Sequence, residues 1–216
     1  YGQKLIETYN NLLDSHRKQL MPVLNHKSAI HALTSEKIGC LLAVEGGDIL
    51  EGDIHNLYQL YSLGVRLMTL TWNHTNEIAS GIGATHEDDL GLTRFGREVV
   101  FEMNELGIII DISHISYKSF WDVCEISSAP IVASHSNAKS ICNNRRNLDD
   151  DQIKAIANSG GIIGINFYPP FLTEDEEASI EDILKHIDFI AGLVGIDYIG
   201  FGSDFDGIEI TPRDVH

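Results

Sequence analysis

A chain of 216 residues with 43% hydrophobic content can bury one full core, though it is slightly short for a parallel α/β barrel, which takes about 250 residues. A formal charge of −17 argues against a nucleic-acid surface, which needs clustered lysine and arginine. Cys40, Cys124 and Cys142 share no short spacing, so neither a zinc ribbon nor a disulfide framework is expected, and Cys40 reads as a small core residue. There is no run of 18 apolar residues and no signal-peptide pattern, so the chain is expected to be cytoplasmic, without a membrane segment.

Strand and helix patterns alternate from end to end. A helix is predicted over 3–19, a strand over 38–44, a helix over 53–62 and a strand over 66–71. Helices at 94–106, 116–126, 149–158 and 179–194 then alternate with strands at 108–113, 131–134, 162–167 and 198–202. Thr93 and Gly107 read as start and stop of one helix, and Ser179-Ile180-Glu181-Asp182 as a capping box. The Asp149-Asp150-Asp151 run suits a helix start, where the macrodipole favours anions. Alternation of this kind implies a parallel sheet, doubly wound or closed. Gly81-Ile82-Gly83 lacks the third glycine of a dinucleotide fingerprint. Polar residues close several different strands, and a barrel converges strand ends at one rim, so the expected fold class is α/β, a (β/α)8 TIM-type barrel. About six of its eight strands are visible. The 1–216 chain therefore reads as the central portion of one barrel domain, with a first and a last strand outside it.

His114 and His135, 21 residues apart, each close an apolar run. Neutral imidazoles on adjacent strand ends are ligands that zinc prefers, and Glu45 at an earlier strand end could join or bridge metal ions. Ser113, Ser134 or Asp111 could fix an imidazole tautomer. Asp111 lies on the opposite strand face from His114, which also suits contact with a neighbouring strand. Asp204 is placed to take and return a proton, whereas Asp206-Gly207 suits a turn. Arg145 or Arg146 could grip a substrate carboxylate, and one or both could instead balance the acidic run at 149–151. His74, just past a strand, could touch substrate. His16, His26, His31, His55, His86, His186 and His216 are taken as incidental.

Val44-Glu45-Gly46-Gly47, Leu70-Thr71-Trp72-Asn73-His74, Ile110-Asp111-Ile112-Ser113-His114, Ala133-Ser134-His135-Ser136, Arg145-Arg146-Asn147 and Gly202-Ser203-Asp204-Phe205-Asp206-Gly207 span nearly the whole chain. In order and spacing they resemble the membrane (renal) dipeptidase family of binuclear zinc peptidases. The resemblance implies a (β/α)8 barrel that hydrolyses dipeptides by attack of a metal-bridging hydroxide, with two zinc ions in the full-length protein. It implies Glu45, His114 and His135 as metal ligands, Arg146 as the holder of the substrate's terminal carboxylate, and Asp204 as the proton shuttle. His74 would contact substrate, since Trp72 stands where members related to the mammalian enzyme place a histidine. The family's first-strand His-x-Asp pair has no counterpart here at a strand end. His86-Glu87-Asp88 falls in a loop and His186-Ile187-Asp188 in a helix, and both read as chance matches. Two alternatives stay open: another binuclear barrel hydrolase acting on a lactone or cyclic amide, and a degenerate barrel serving as a binding module. The partner expected is a dipeptide substrate, with a homodimer left open as an assembly.

Overall fold

The computed structural model describes residues 2–215, the side chain of Gln3 excepted. Helix α1 (Gly2–Ser15) stops short of the predicted 3–19, because the chain turns and enters strand β1 (Leu20–Pro22), which pairs in parallel with β2 (Ile38–Cys40). Helix α2 (His26–Thr34) joins them. Neither β1 nor α2 is expected from the sequence. A three-residue strand is too short to show alternation, and α2 buries none of its residues, so it carries no apolar stripe. What starts α2 is local: Asn25 Oδ1 accepts from the Ser28 amide and Ser28 Oγ accepts from the Asn25 amide, each at 3.0 Å. The strand predicted over 38–44 is two strands, β2 and β3 (Leu42–Glu45), parted at Leu41. Cys40, expected in the core, is only half-buried.

From there the predicted alternation holds: α3 (Ile54–Ser62), β4 (Val65–Thr69), α4 (Arg94–Leu106), β5 (Ile109–Asp111), α5 (Tyr117–Ile126), β6 (Ile131–Val132), α6 (Asp150–Asn158), β7 (Ile163–Ile165), α7 (Pro169–Leu172), α8 (Ile180–Val194) and β8 (Ile199–Phe201). Strands β3, β4, β5 and β6 form one parallel sheet in that order. A parallel bridge from Ala133 to Ile163 carries the array on to β7, which pairs with β8. The architecture is a partial (β/α)8 barrel. Helix starts follow the expected chemistry, with Thr93 Oγ1 accepting from the Gly96 amide at 2.9 Å and Asp149 Oδ1 from the Gln152 amide at 2.8 Å. Gly107 ends α4 at φ 72°, a left-handed conformation that favours glycine. The tetrapeptide helix α7 is unexpected; it opens on two prolines, which preset φ for a first turn. Among the described residues, no helix is long and apolar enough to cross a membrane.

Side chains such as Leu57, Met68, Phe120, Ile131 and Ile153 are at most 1% exposed between strands and helices. Each contributes about 1.5–3 kcal/mol of apolar burial. The strands are shorter than predicted, and the candidate site residues beyond Glu45 sit in the turns that follow them. His114 and Asp204 take positive φ, 67° and 63°, as the chain swings off β5 and β8. At Gly164 and Gly202 an added Cβ would overlap the Ser134 carbonyl, so both glycines are required where β7 and β8 pass the turn bearing His135.

Candidate metal centre

Glu45 is the last residue of β3, His114 lies three residues past β5, and His135 lies three past β6. One donor atom from each falls within 4.8 Å of the others. His114 Nε2 stands 2.8 Å from His135 Nε2. Glu45 Oε1 is 3.1 Å from the first of these nitrogens and 3.4 Å from the second. The two histidine side chains are each 10% exposed, while Glu45 reaches in from a more open position.

The proton arrangement around the rings follows from their other nitrogens. Asn73 Oδ1 lies 2.9 Å from His114 Nδ1 and can only accept, so that nitrogen carries the hydrogen. Ser134 Oγ donates its one proton to Asp111 Oδ2 and therefore accepts from His135 Nδ1, at 2.7 Å. Both neutral rings then present an Nε2 lone pair, and Glu45 presents a third. Three lone pairs meeting at these distances need an extra proton or a cation between them. Burial pushes the His114 imidazole toward its neutral form, against the pull of its Glu45 hydrogen bond. Where the extra proton sits there, it makes a ring an imidazolium whose Nε2–H donates to Glu45, and such hydrogen bonds, from His114 first and His135 second, hold the Glu45 carboxyl well below the usual carboxylate range. The donor set therefore fits a divalent cation with nitrogen and oxygen ligands.

Asp111 behaves as its strand face implies. It receives Thr69 Oγ1 from β4 at 2.9 Å, and the Ser113 and Ser134 amides at 3.0 and 2.9 Å, so one buried carboxylate ties three strand ends together and orients His135 through Ser134. Asp204 follows β8, and Asn166 Nδ2 donates to its Oδ2 at 3.1 Å; Asp206 is exposed, as its turn role implies. Arg146 is 8% exposed, with Nη2 donating to the His135 carbonyl at 3.3 Å and its guanidinium 5.5 Å from the centre of the Phe171 ring. Burial brings its pKa down to about 10, opposed by the nearby carboxylates of Asp111, Asp204 and Glu45. Neither arginine pairs with the acidic run: Arg145 Nη2 donates instead to the Ala84 carbonyl at 3.0 Å. Glu45, His114, His135, Arg146 and Asp204 thus surround one rim. His74 is exposed and farther out, edge-on to Trp72 with centroids 6.2 Å apart, and it is Trp72 that stacks on His114, at 6.1 Å.

Three residues of this rim were given no role from the sequence: Asn73, Asn166 and Trp72. Asn73 and Asn166 immediately follow or nearly follow strands, which is the only signal that could have flagged them. His186, taken as incidental, is fully buried in α8 and pins the turn after β6. Its Nδ1 accepts from the Ala138 amide at 3.1 Å and its Nε2 donates to the Leu172 carbonyl at 3.0 Å, so it must be neutral. Burial lowers its pKa below the ordinary 6.5. A depressed histidine contributes stability that is complete above the unfolded-state value and lost as pH falls below it. In urea unfolding, the stability advantage of the wild type over His186→Gln is expected to shrink from pH 6.5 downward, by at most about 1.4 kcal/mol per pH unit. An advantage that stays constant between pH 7.5 and 5 would contradict this role. His216 lies outside the described residues.

Residues 3–216 match the family model for membrane dipeptidase, peptidase family M19. The chain belongs to this family. An uncharacterized dipeptidase of Schizosaccharomyces pombe is 38% identical over 181 residues, which are 82% of this chain and 44% of that protein. A solved dipeptidase of family M19 superposes with a TM-score of 0.91 at 30% identity, over 98% of this chain and 64% of the other. A metallopeptidase of Rhodobacter sphaeroides, liganded with a phosphinate mimic of the dipeptide L-Ala-D-Ala, gives 0.86 at 31% identity, over 95% and 61%. The M19 chain spans less than two thirds of the length of each of these relatives.

Proposed function

We propose that this chain is the central portion of a zinc dipeptidase barrel and carries one of its metal sites together with its substrate-binding rim. The observation that carries this reading is the convergence of three lone pairs, from Glu45, His114 and His135, with both ring tautomers fixed from behind. The named relatives support a dipeptide as substrate. Glu45, His114 and His135 would hold one zinc, and a second is expected in the full-length protein. When bound, zinc supplies a hydroxide nucleophile near neutral pH and polarisation of the scissile carbonyl.

The chain's own residues do the rest. Arg146, buried beside the cluster, binds the dipeptide's terminal carboxylate and orients the peptide bond across the rim. Asp204, held at Oδ2 by Asn166, keeps Oδ1 free to take a proton and return it to the departing amine. Trp72 covers the outer face of His114 and limits water there, with His74 beside it at the substrate entrance. The test is release of free amino acids from Ala-Ala, in both stereochemical forms of the second residue, by the zinc-loaded full-length protein. Hydrolysis that a chelator abolishes and zinc restores is expected. No hydrolysis of any dipeptide at saturating zinc would overturn the proposal, and cleavage of neutral lactones or cyclic amides in its place would favour the other hydrolase class.

A further inference from the structure

A cavity of about 580 Å³ adjoins the metal cluster, with His114 and Arg146 in its wall. Lys118, Lys139 and Arg145 line the same cavity. The chain has 15 lysines and arginines against 32 acidic residues, so four cations around one cavity run against its composition. Two carboxylates also reach this wall, but both are engaged by neutral donors. Asp89 accepts from the Ser116 hydroxyl and from the Lys118 amide, and Asp149 is the N-cap of α6. Among the described residues, none of the four cations forms an ion pair. Arg146 Nε is also buried without a hydrogen-bond partner, a polar group left for a ligand.

We infer that this cavity takes the side-chain carboxylate of the substrate's C-terminal residue, so that the substrate class is dipeptides ending in aspartate or glutamate. This rests on the dipeptidase reading, in which Arg146 takes the α-carboxylate of that same residue. With the α-carboxylate on Arg146, the side chain of the C-terminal residue is directed into the cavity that Arg146 lines, where Lys118, Lys139 and Arg145 supply the positive charge. Lys118 and Lys139 are exposed, so their attraction is screened and the preference weakens as salt is raised. Hydrogen-bond donors placed for a charged group discriminate against its neutral isostere, and asparagine is the isostere of aspartate.

The experiment has two readouts on the zinc-loaded protein: calorimetric binding of free aspartate against asparagine, and the ratio of kcat/KM for Ala-Asp over Ala-Asn. Both enantiomers of the second residue are used in each. Aspartate is expected to bind about 10-fold tighter or more, and the kcat/KM ratio to favour Ala-Asp by a similar factor. In the Lys118→Met/Lys139→Met variant both preferences are expected to fall toward 1, and in Lys118→Glu/Lys139→Glu to invert. Equal binding of aspartate and asparagine by the wild type would overturn the inference. So would a preference that survives in both variants, since it would then belong to the metal or to Arg146 alone. If no dipeptide is cleaved yet aspartate is preferred and the variants lose that preference, the dipeptidase reading falls and the assignment of the cavity to an acidic side chain stands.

Discussion

Replacing His135 by alanine is expected to lower the affinity of the chain for zinc by at least about 100-fold. Removing the hydrogen-bond partner behind a ligand costs 10- to 100-fold, and removing the ligand itself costs more. Two donors, Glu45 Oε1 and His114 Nε2, would remain 3.1 Å apart, too few for the four-coordinate sites zinc favours. Ser134→Ala offers the graded comparison. It leaves the ring in place but removes the acceptor that fixes its tautomer, 2.7 Å from Nδ1, so a loss of about 10- to 100-fold is expected. Competition against a chromophoric chelator measures both. Equal zinc affinity in the wild type and His135→Ala would place the metal elsewhere.

Arg146→Met should separate stability from function. Arg146 is 8% exposed, its Nε has no partner, and burial has already brought its pKa down to about 10. Substituting an apolar side chain of similar length removes that desolvation penalty and breaks no ion pair, so stability is expected not to fall. Losing a buried charge-assisted contact to the substrate costs about 2–5 kcal/mol, or roughly 30- to several-thousand-fold in kcat/KM. The expected variant of the zinc-loaded protein therefore has an unchanged or raised Tm and nearly lacks dipeptide hydrolysis. A clear fall in Tm with an intact kcat/KM would make Arg146 a structural residue. If neutral esters are substrates at all, their turnover should survive the substitution, because they have no carboxylate to offer it.

The parts of the fold legible in the sequence are those whose cause is local and periodic. Buried parallel strands are short continuous apolar runs, and helices α3 to α6 and α8 carry capping side chains at their starts, so both could be placed within a residue or two. What stayed hidden is β1 and α2, where the strand is three residues long and the helix has no buried face. The rim was legible wherever a ligand-type side chain closes an apolar run, as with Glu45, His114, His135 and Asp204. Of the residues that act on other residues, Asp111 and Ser134 were legible beside the histidines, whereas the two asparagines left no such trace. Asn73 and Asn166 are ordinary loop asparagines until the strand ends bring them to His114 and Asp204. Trp72 could be noted as a departure from the family pattern, but not as the ring stacked on His114. His186 was hidden by its own helix, since an amphipathic pattern does not say which polar side chain it buries.

The most direct measurement is anomalous diffraction at the zinc absorption edge from crystals of the zinc-saturated protein. A peak bounded by Glu45, His114 and His135, lost in crystals of His135→Ala, is the expected result. Zinc bound at full occupancy with no peak at these three residues would contradict the metal centre and the dipeptidase function built on it.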